Sequence, residues 1–550
     1  MSSTSVRFKG SEYVQVEAKI YPAVTDDRIG PGTSRRQKTI RLGSERFADD
    51  DSDIAVIGLS YSHQINTAAP TCTLTVKARG VKGAAFLDVL QPNDWIDVVI
   101  RRHEKRFHIF RGRIQAAAIE TSSGAIGGAA TQNTLRIRCR GFGHILEQTQ
   151  VYYDIVSEGL ELAAAYPRIL ITKDNTQDVA STLKSLLFGF LKEGEEGTGR
   201  SLWKIPPALP GANGTGDTFF HQMLTYFPDS DERAIDNYPE RINSQSLNWI
   251  TPAQGGESLW TILQRWNDGP LVDLYTDLVS SRGLYLQEGE ETVPGDTKMA
   301  VIVRDKPFPT VTNRPRFAGA NPIFVTPNAA VQRQLLSENI DGSRWFDDDY
   351  FPAFNIDWSD ITSRNVVRSD EARKNAFFIA PVLTQNLTPT LLNLQAPLWD
   401  TEDIQINGLR PVFYNTPYFI DLKTTSRDYN SMMDLYRQRL RDFMTLGYHY
   451  LSGNIEIGFG RPDIRVGSKL IINAAGEQEN STFQGEQLGG VFEERYHVEG
   501  VSHTWAPVTG MRTALTVTRG IRGDDSVRRQ LLLNKIEKYT LAKFGEANLA

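Results

Sequence analysis

Alternation with a period of two is the feature that most restricts this chain. It recurs near both ends, and each recurrence commits a segment to a strand with one packed face and one wet face. In LRIRCRG, Leu135, Ile137 and Cys139 share parity while Arg136, Arg138 and Arg140 take the other side. In MRTALTVTRG, Met511, Thr513, Leu515 and Val517 lie on one face, and Arg512, Ala514, Thr516 and Thr518 on the other. From residue 54 to about 153 the signal runs through IAVIGLSYSHQI, TCTLTVKA, DWIDVVIRR, FHIFRGRIQAAAI and TLRIRCRGF, broken by Gly, Pro and Asn. That pattern predicts a small antiparallel barrel or sandwich, with AAFLDVLQ forming a turn or two of helix before the PND turn.

The middle of the chain has a different texture. VASTLKSLLFGFLKE places Val179, Leu183, Leu186, Leu187 and Phe190 at helical spacing, and ESLWTILQRWN does the same with Leu259, Ile262, Leu263 and Trp266. The Gly- and Pro-rich stretch between those two helices reads as a long loop or decoration. The second helix precedes a strand pair, LVDLYTDL and MAVIVRDKPF. A third helix over 431–444 has Met432, Met433, Tyr436, Leu440, Phe443 and Met444 on its apolar face, with Asp434, Arg437, Arg441 and Asp442 opposite. Strands then return as SGNIEIGFG, SKLIIN, RYHVEGVSHTW and MRTALTVTRG, and the charged segment SVRRQLLLNKIEKYTLAKFG predicts a closing helix with Leu531, Leu532, Ile536, Tyr539 and Leu541 on its apolar side. No repeat of short fixed period occurs.

At 550 residues the chain exceeds one core, and ~150 residues per domain suggests three or four units. Hydrophobic residues at 40% and charged residues at 23% are those of a globular protein, and a net charge of -6 draws it to neither nucleic acid nor an anionic membrane as a whole. No run is long and apolar enough to span a bilayer, and MSSTSVRFKGSEY lacks the apolar core of a secretory signal, so a soluble chain made in the cytoplasm is expected. Cys72 and Cys139, the only cysteines, are too few for a disulfide framework or, alone, a zinc site, and their parity predicts buried strand thiols.

Tyr496 to Gly520, YHVEGVSHTWAPVTGMRTALTVTRG, holds the raw material of an active site in two histidines, a serine and a tryptophan. Spacing argues against it. His497 and His503 share parity, but six residues separate them by roughly 20 Å along a continuous strand. His103 and His108 are five apart, which turns them to opposite faces. No HExxH helix, CxxC pair, phosphate loop or GxSxG elbow is present. The acidic clusters at 49–53, 229–236 and 347–349 lack the glycine and terminal glutamate of an EF-hand loop, which leaves solvated charge, a cation or a basic partner open. Paired carboxylates for glycoside cleavage need a separation that spacing does not give, so that alternative stays open. The basic stretch RRHEKRFHIFRGR at 101–113, with Phe107 and Phe110 interleaved, reads as a hairpin turning at Glu104 and Lys105 with its charges in solvent, or as a polyanion contact.

The hairpin YHVEGVSHTW…TALTVTRG resembles the carboxy-terminal hairpin of the central hub proteins of phage tail baseplates. Upstream, SGNIEIGFGRPDIRVGSKLIIN is similar to that family's glycine-bounded strand and its Pro-Asp-Ile-Arg-Val-Gly turn. The helix over 431–444 sits where that family would have one. ESLWTILQRWNDGPLVDLYTDL with IVRDKPF, then NVVRSDEARKNAFFI, resemble its helix, acidic strand, Arg-x-x-Pro-Phe strand and Arg-Ser-Asp loop. VIGLSYSHQI, TCTLTVKA, PNDWIDVVI and RCRGFGHILEQTQVYYD look like its first barrel. Together these segments cover about two thirds of the chain and occur in the family's order. The insertions between about 155 and 250 and between 312 and 345, with the extension before residue 45, depart from its pattern.

The resemblance implies a multidomain α+β chain, predominantly antiparallel β, with two tube-like β-barrel domains and helical and loop-rich insertions. The implied division is an extension to 45, a first barrel over 46–155, an insertion over 156–250, a second barrel with its associated α/β region over 251–425, a helix and C-terminal β domain over 426–525, and a helix over 526–550. The implied role is a structural virion protein, a homotrimeric symmetry adaptor joining the hexameric tail tube to a trimeric spike or tail tip, with DNA passing through its channel and other baseplate proteins around it. No catalytic residue, metal or cofactor is implied. Trp505 at the hairpin corner, Arg465 in the PDIRVG turn, and Leu532 and Tyr539 in the closing helix are the candidate inter-subunit contacts. The rival readings are a tail-associated cell-wall or polysaccharide hydrolase, the hub of a contractile injection machine, and a receptor-binding protein.

Overall fold

The computed structural model describes residues 14–23, 39–44, 54–78, 90–102, 104–122, 132–151, 203–212, 219–226, 257–266, 271–280, 286–306, 310–311, 340–341, 352–381, 397–416, 437, 440–473, 481–483, 486–488, 493–523, 530–531, 534–535 and 539–541. The first 150 residues supply β1 (Val14–Tyr21), β2 (Ile40–Ser44), β3 (Ile54–Gln64), β4 (Thr71–Ala78), β5 (Trp95–Arg102), β6 (Lys105–Ser122) and β7 (Gln132–Gly141). The five strands expected from alternation in 54–141 are all present. Asn93, at φ 75, turns the chain into β5, a left-handed position that asparagine tolerates.

The pairings of these seven strands run in a circuit. β3 pairs with β2 in parallel; β2 with β1, β1 with β5, β5 with β6, β6 with β7, β7 with β4, and β4 again with β3 are antiparallel. Their inward residues, among them Val16, Ile20, Val56, Leu74, Val98, Phe110 and Ile137, form one core.

The later strands are β8 (Gln150–Val151), β9 (Met223–Tyr226), β10 (Glu257–Ser258), β11 (Val272–Ser280), β12 (Thr297–Asp305), β13 (Thr310–Val311), β14 (Ile340–Asp341), β15 (Ala353–Asp357), β16 (Ile361–Val367), β17 (Ala376–Pro381), β18 (Leu398–Asp400) and β19 (Pro411–Thr416). They end with β20 (Leu451–Ile457), β21 (Lys469–Asn473), β22 (Ser481–Phe483), β23 (Glu486–Leu488), β24 (Glu493–Ala506), β25 (Gly510–Arg522) and β26 (Tyr539–Leu541). β15, β21, β24, β25, β20 and β16 pair in that order. Their inward side packs with Tyr275 and Val279 of β11 and Ala300 and Ile302 of β12 into a second core. Two tube-like barrels are what the resemblance implies. The described residues instead give one circuit and one open sheet, because β15 and β16 end the second group without pairing to each other.

The long hairpin β24–β25 belongs to both cores. Along one edge, β24 pairs with β21 through Glu493–His497 and then with β3 through Gly500–Trp505, so the two groups share one sheet. Tyr496, Val498, Val501, Leu515 and Val517 fill the second core, while Trp505 and Met511 at the hairpin tip enter the first. Gly460 lets that tip seat: its φ is +62, and an added Cβ would lie 2.5 Å from the Met511 side chain.

Helices are fewer. Leu259–Trp266 buries Leu259, Ile262 and Leu263 as its spacing predicts and Trp260 besides, and the Ser258 hydroxyl caps it by accepting from the Thr261 amide at 3.1 Å. In the helix expected over 431–444, residues 437 and 440–444 are described and helical, but Arg437, Arg441 and Asp442 are buried rather than solvated. Ion pairing explains Arg441 and Asp442, since Arg441 Nε donates to Asp442 Oδ1 at 2.8 Å. The closing helix also differs: 530–531 and 534–535 are helical, but Tyr539–Leu541 is a strand paired with β18. The expected helix over 179–190 and the AAFLDVLQ segment up to Val89 lie outside the described residues, as do the three acidic clusters and most of both insertions. No helix among the described residues is long and apolar enough to cross a membrane.

Candidate functional site

The sheet running from β7 through β4, β3, β24, β25 and β20 to β16 presents one face to solvent, and strand register sets its side chains in rows. One row is Arg138, Thr73, Ser60, Thr504 and Arg512. A second is Arg140, Thr71, Ser62, Ser502, Ala514 and Glu456, and a third is Gln64, Gly500, Thr516, Asn454 and Asn365. The centre of this face is therefore short hydroxyls, with arginines at the β7 flank. Alternation accounts for it, since one side of an antiparallel sheet can stay in water while the other packs.

Few of these groups are engaged strongly. Thr516 donates to Asn454 Oδ1 at 3.2 Å, Arg512 lies 3.4 Å from Glu456, and Arg136 lies 3.6 Å from Glu120. Ser502 and His503 are neighbours on β24 and so point to opposite faces. Ser502 Oγ donates to the Tyr61 carbonyl at 3.1 Å, whereas His503 is 1% exposed with Nδ1 at 2.9 Å from Thr513 Oγ1. They cannot act as a nucleophile and base. At the β7 flank, His144 Nδ1 is 2.7 Å from Glu147, and among the described residues the other side chains it hydrogen-bonds are Gln115 and Arg140, neither a nucleophile.

Away from the polar face, charged groups are buried on the outer side of β5 and β6 and where the two cores meet. Asp97 on β5 accepts two bonds from Arg111 at 2.7 and 3.0 Å and one from Tyr21 at 3.1 Å. His108 lies beside it, with Nε2 at 3.3 Å from Asp97 and Nδ1 at 2.6 Å from Thr297 Oγ1 of β12. Arg465 then joins both units, donating to Asp277 of β11 at 2.8 Å and to the His108 carbonyl. Arg102 of β5 donates to the Gly460 carbonyl, and Arg461 pairs with Asp463 at 2.8 Å and Glu288 at 2.9 Å. Close approach is enforced as well, because a Cβ on Gly143 would lie 1.7 Å from the Ala68 carbonyl and 2.5 Å from Thr276 Oγ1.

Burial and charge set the protonation here. Desolvation holds His63 at about 4 and His503 at about 3, so both are neutral at pH 7. Burial also lowers His108, against the pull of Asp97. For Asp97 burial acts upward, but Arg111 and His108 overcome it and keep the carboxylate below its ordinary range; Arg461 does the same for Asp463.

Of the residues expected at inter-subunit contacts, three are described within this chain. Trp505 is 5% exposed and packs in the first core, so the hairpin corner does not offer it to a neighbour. Arg465 has an 11% exposed side chain and is engaged within the chain. Tyr539 lies in β26, and Lys535 just before it sits 3.6 Å from Asp403 and over the Tyr448 ring, which docks that segment on its own subunit. Leu532 and His103 lie outside the described residues. His497 is also buried, 3.6 Å from Asp273. In the basic hairpin Arg102 pairs opposite Lys105; Lys105 and Arg106 reach solvent, but Arg102 and Arg111 are 2% and 3% exposed, against the expectation that its charges face water. Alternation alone hides Asp97 and Arg111, because β5 is buried on both faces; an aspartate inside DWIDVVI was the available signal.

No family model and no curated protein matches the chain. Among solved structures it is similar to a tail protein from Neisseria meningitidis MC58, at TM-score 0.39 and 10% identity over 94% of this chain and 98% of that one. It is similar to the 43 kDa tail protein of prophage MuSo2 from Shewanella oneidensis, at 0.39 and 9% over 92% and 97%. A third is an E. coli component of the type VI secretion system described as structurally similar to T4 bacteriophage tail proteins gp27 and gp5, at 0.36 and 9% over 86% and 74%.

Proposed function

We propose that this chain is the central hub of a phage tail baseplate, a homotrimeric adaptor between a hexameric tail tube and a trimeric spike or tail tip, with no catalytic step of its own. The observation that carries the reading is the single sheet laid over two cores, with one continuous hydroxyl-rich face. Three copies, each supplying two β units, would present six to a six-fold partner, which is how a three-fold ring can meet a hexamer. Such a ring has to be stiff, and the Arg465 and Arg102 contacts supply rigidity by tying the units together at buried positions. The polar face would look into the channel. Short hydroxyls suit that place because they stay hydrated and offer a passing polymer no apolar patch to adhere to. The tail tube, the spike and other baseplate proteins are the proposed neighbours, in the virion.

Native mass measured by light scattering during size-exclusion chromatography tests this. A mass near three times 61.6 kDa, alone or on adding a trimeric spike, is expected. A chain that stays monomeric in both settings would remove the adaptor, and a positive cell-wall hydrolysis assay would replace it with the enzyme reading.

A further inference from the structure

The register of β4 against β7 places Cys72 directly opposite Cys139. Opposed residues of antiparallel strands have Cα atoms ~4.5 or ~5.5 Å apart, depending on which pair type they occupy. Either separation lies within the ~4.4–6.8 Å that disulfides span. Both side chains take the inward face, at 1% and 3% exposure, in the same core as Leu74 and Ile137, and both are free thiols. Burial, with Cys139 beside it, holds the Cys72 thiol well above its ordinary range, and burial pushes Cys139 up too. While the strands stay closed, neither is reactive.

We propose that Cys72 and Cys139 form a latent cross-strand disulfide site, reduced where the chain is made and closed by a low-molecular-weight disulfide such as oxidised glutathione. When β4 and β7 part transiently, one cysteine attacks the small disulfide as its thiolate, expelling one glutathione and leaving a mixed disulfide. The second cysteine then displaces the other glutathione. Net, the sulfur–sulfur bond of the oxidant breaks, one forms between Cys72 and Cys139, and the protons and electrons of the two thiols leave on two glutathione molecules. The bond ties β4 to β7, and so locks one link of the strand circuit. The inference rests on the register and does not depend on the hub reading.

The native chain is held with oxidised glutathione in urea just below its unfolding midpoint, where strands open and reclose, and its thiols are then counted and its unreduced digest mapped by mass. Loss of both thiols is expected, with one peptide pair joining Cys72 to Cys139 in a species of single-chain mass, absent from a Cys139→Ala variant and reversed by dithiothreitol. Two persisting thiols, stable glutathione adducts or crosslinks between chains would each overturn the proposal.

Discussion

The two sides of β24 are made from adjacent residues and could hardly differ more. On one side Ser502 and Thr504 sit in a field of short hydroxyls; on the other, His503 and Trp505 are buried, and His503 stacks on Tyr61 with ring centroids 5.4 Å apart. The exposed side holds polar groups that water can satisfy at any time. The buried side holds groups that need a specific partner, because a charge or polar atom removed from water is costly unless it is paired. The comparison teaches that polarity in these strands does two jobs, hydration on one face and fixing of position between the cores on the other.

The contrast breaks first at Arg111. Arg111→Met leaves Asp97 buried without its guanidinium, and a cost of about 3–5 kcal/mol is expected in urea unfolding. Arg138→Met, on the exposed row, should move the same measurement by no more than about 0.5 kcal/mol. Equal effects would mean that buried and exposed charges in these strands are not energetically distinct.

Acid should find the buried side next. His63 and His503 bind protons more weakly folded than unfolded, so the unfolded chain gains protons first as pH falls. Stability is then undiminished above about pH 6.5 and declines below it, toward about 4 for His63 and about 3 for His503. At pH 5 the loss should be about 2 kcal/mol from each histidine. Asp97 and Asp463, with lowered values, keep their stabilising effect above the ordinary carboxylate range and lose it only as pH falls below that range, which leaves this window to the histidines. A His63→Phe variant should flatten the thermal-unfolding profile between pH 7 and 5; an unchanged slope would assign the acid sensitivity elsewhere.

Gly460→Ala gives a smaller effect. The positive φ and the Met511 side chain in the way predict about 1–3 kcal/mol of destabilisation, together with a shift in Trp505 fluorescence as the hairpin tip reseats. Unchanged stability would mean that the tip is free to adjust.

The strands were legible because they alternate: the faces of Gly510–Arg522 read from sequence are those observed, with Arg512, Ala514 and Thr516 outward and Met511, Thr513, Leu515 and Val517 inward. The buried cysteines followed from the same parity. What did not follow depends on contacts distant in sequence. Arg441 and Asp442 read as a wet helix face until their mutual ion pair is seen, and Trp505 read as a corner contact because nothing local says that the first core lies beneath it. Tyr539–Leu541 fitted a helical stripe, but pairing with Leu398–Asp400 overrides that propensity. The exposed face was half visible, since Arg138 and Arg140 of β7 and Arg512, Ala514 and Thr516 of β25 were assigned to outward positions, but the hydroxyls between them and their alignment into rows need register across seven strands.

The smallest stability effect should fall on that face, and it is where function would show most. Ser60→Glu with Thr504→Glu puts two carboxylates opposite each other between Thr73 and Arg512 in one row. Both positions are exposed, so solvation is retained and unfolding should shift by no more than about 1 kcal/mol, from like-charge repulsion across the pair. If the face lines a channel, three copies would place six new negative charges around a passing polyanion. Assembled particles should then form normally but release DNA more slowly, an effect that added salt relieves by screening. Particles that fail to assemble would instead make this face a contact between proteins, and particles with unchanged release would turn it to the outside of the ring.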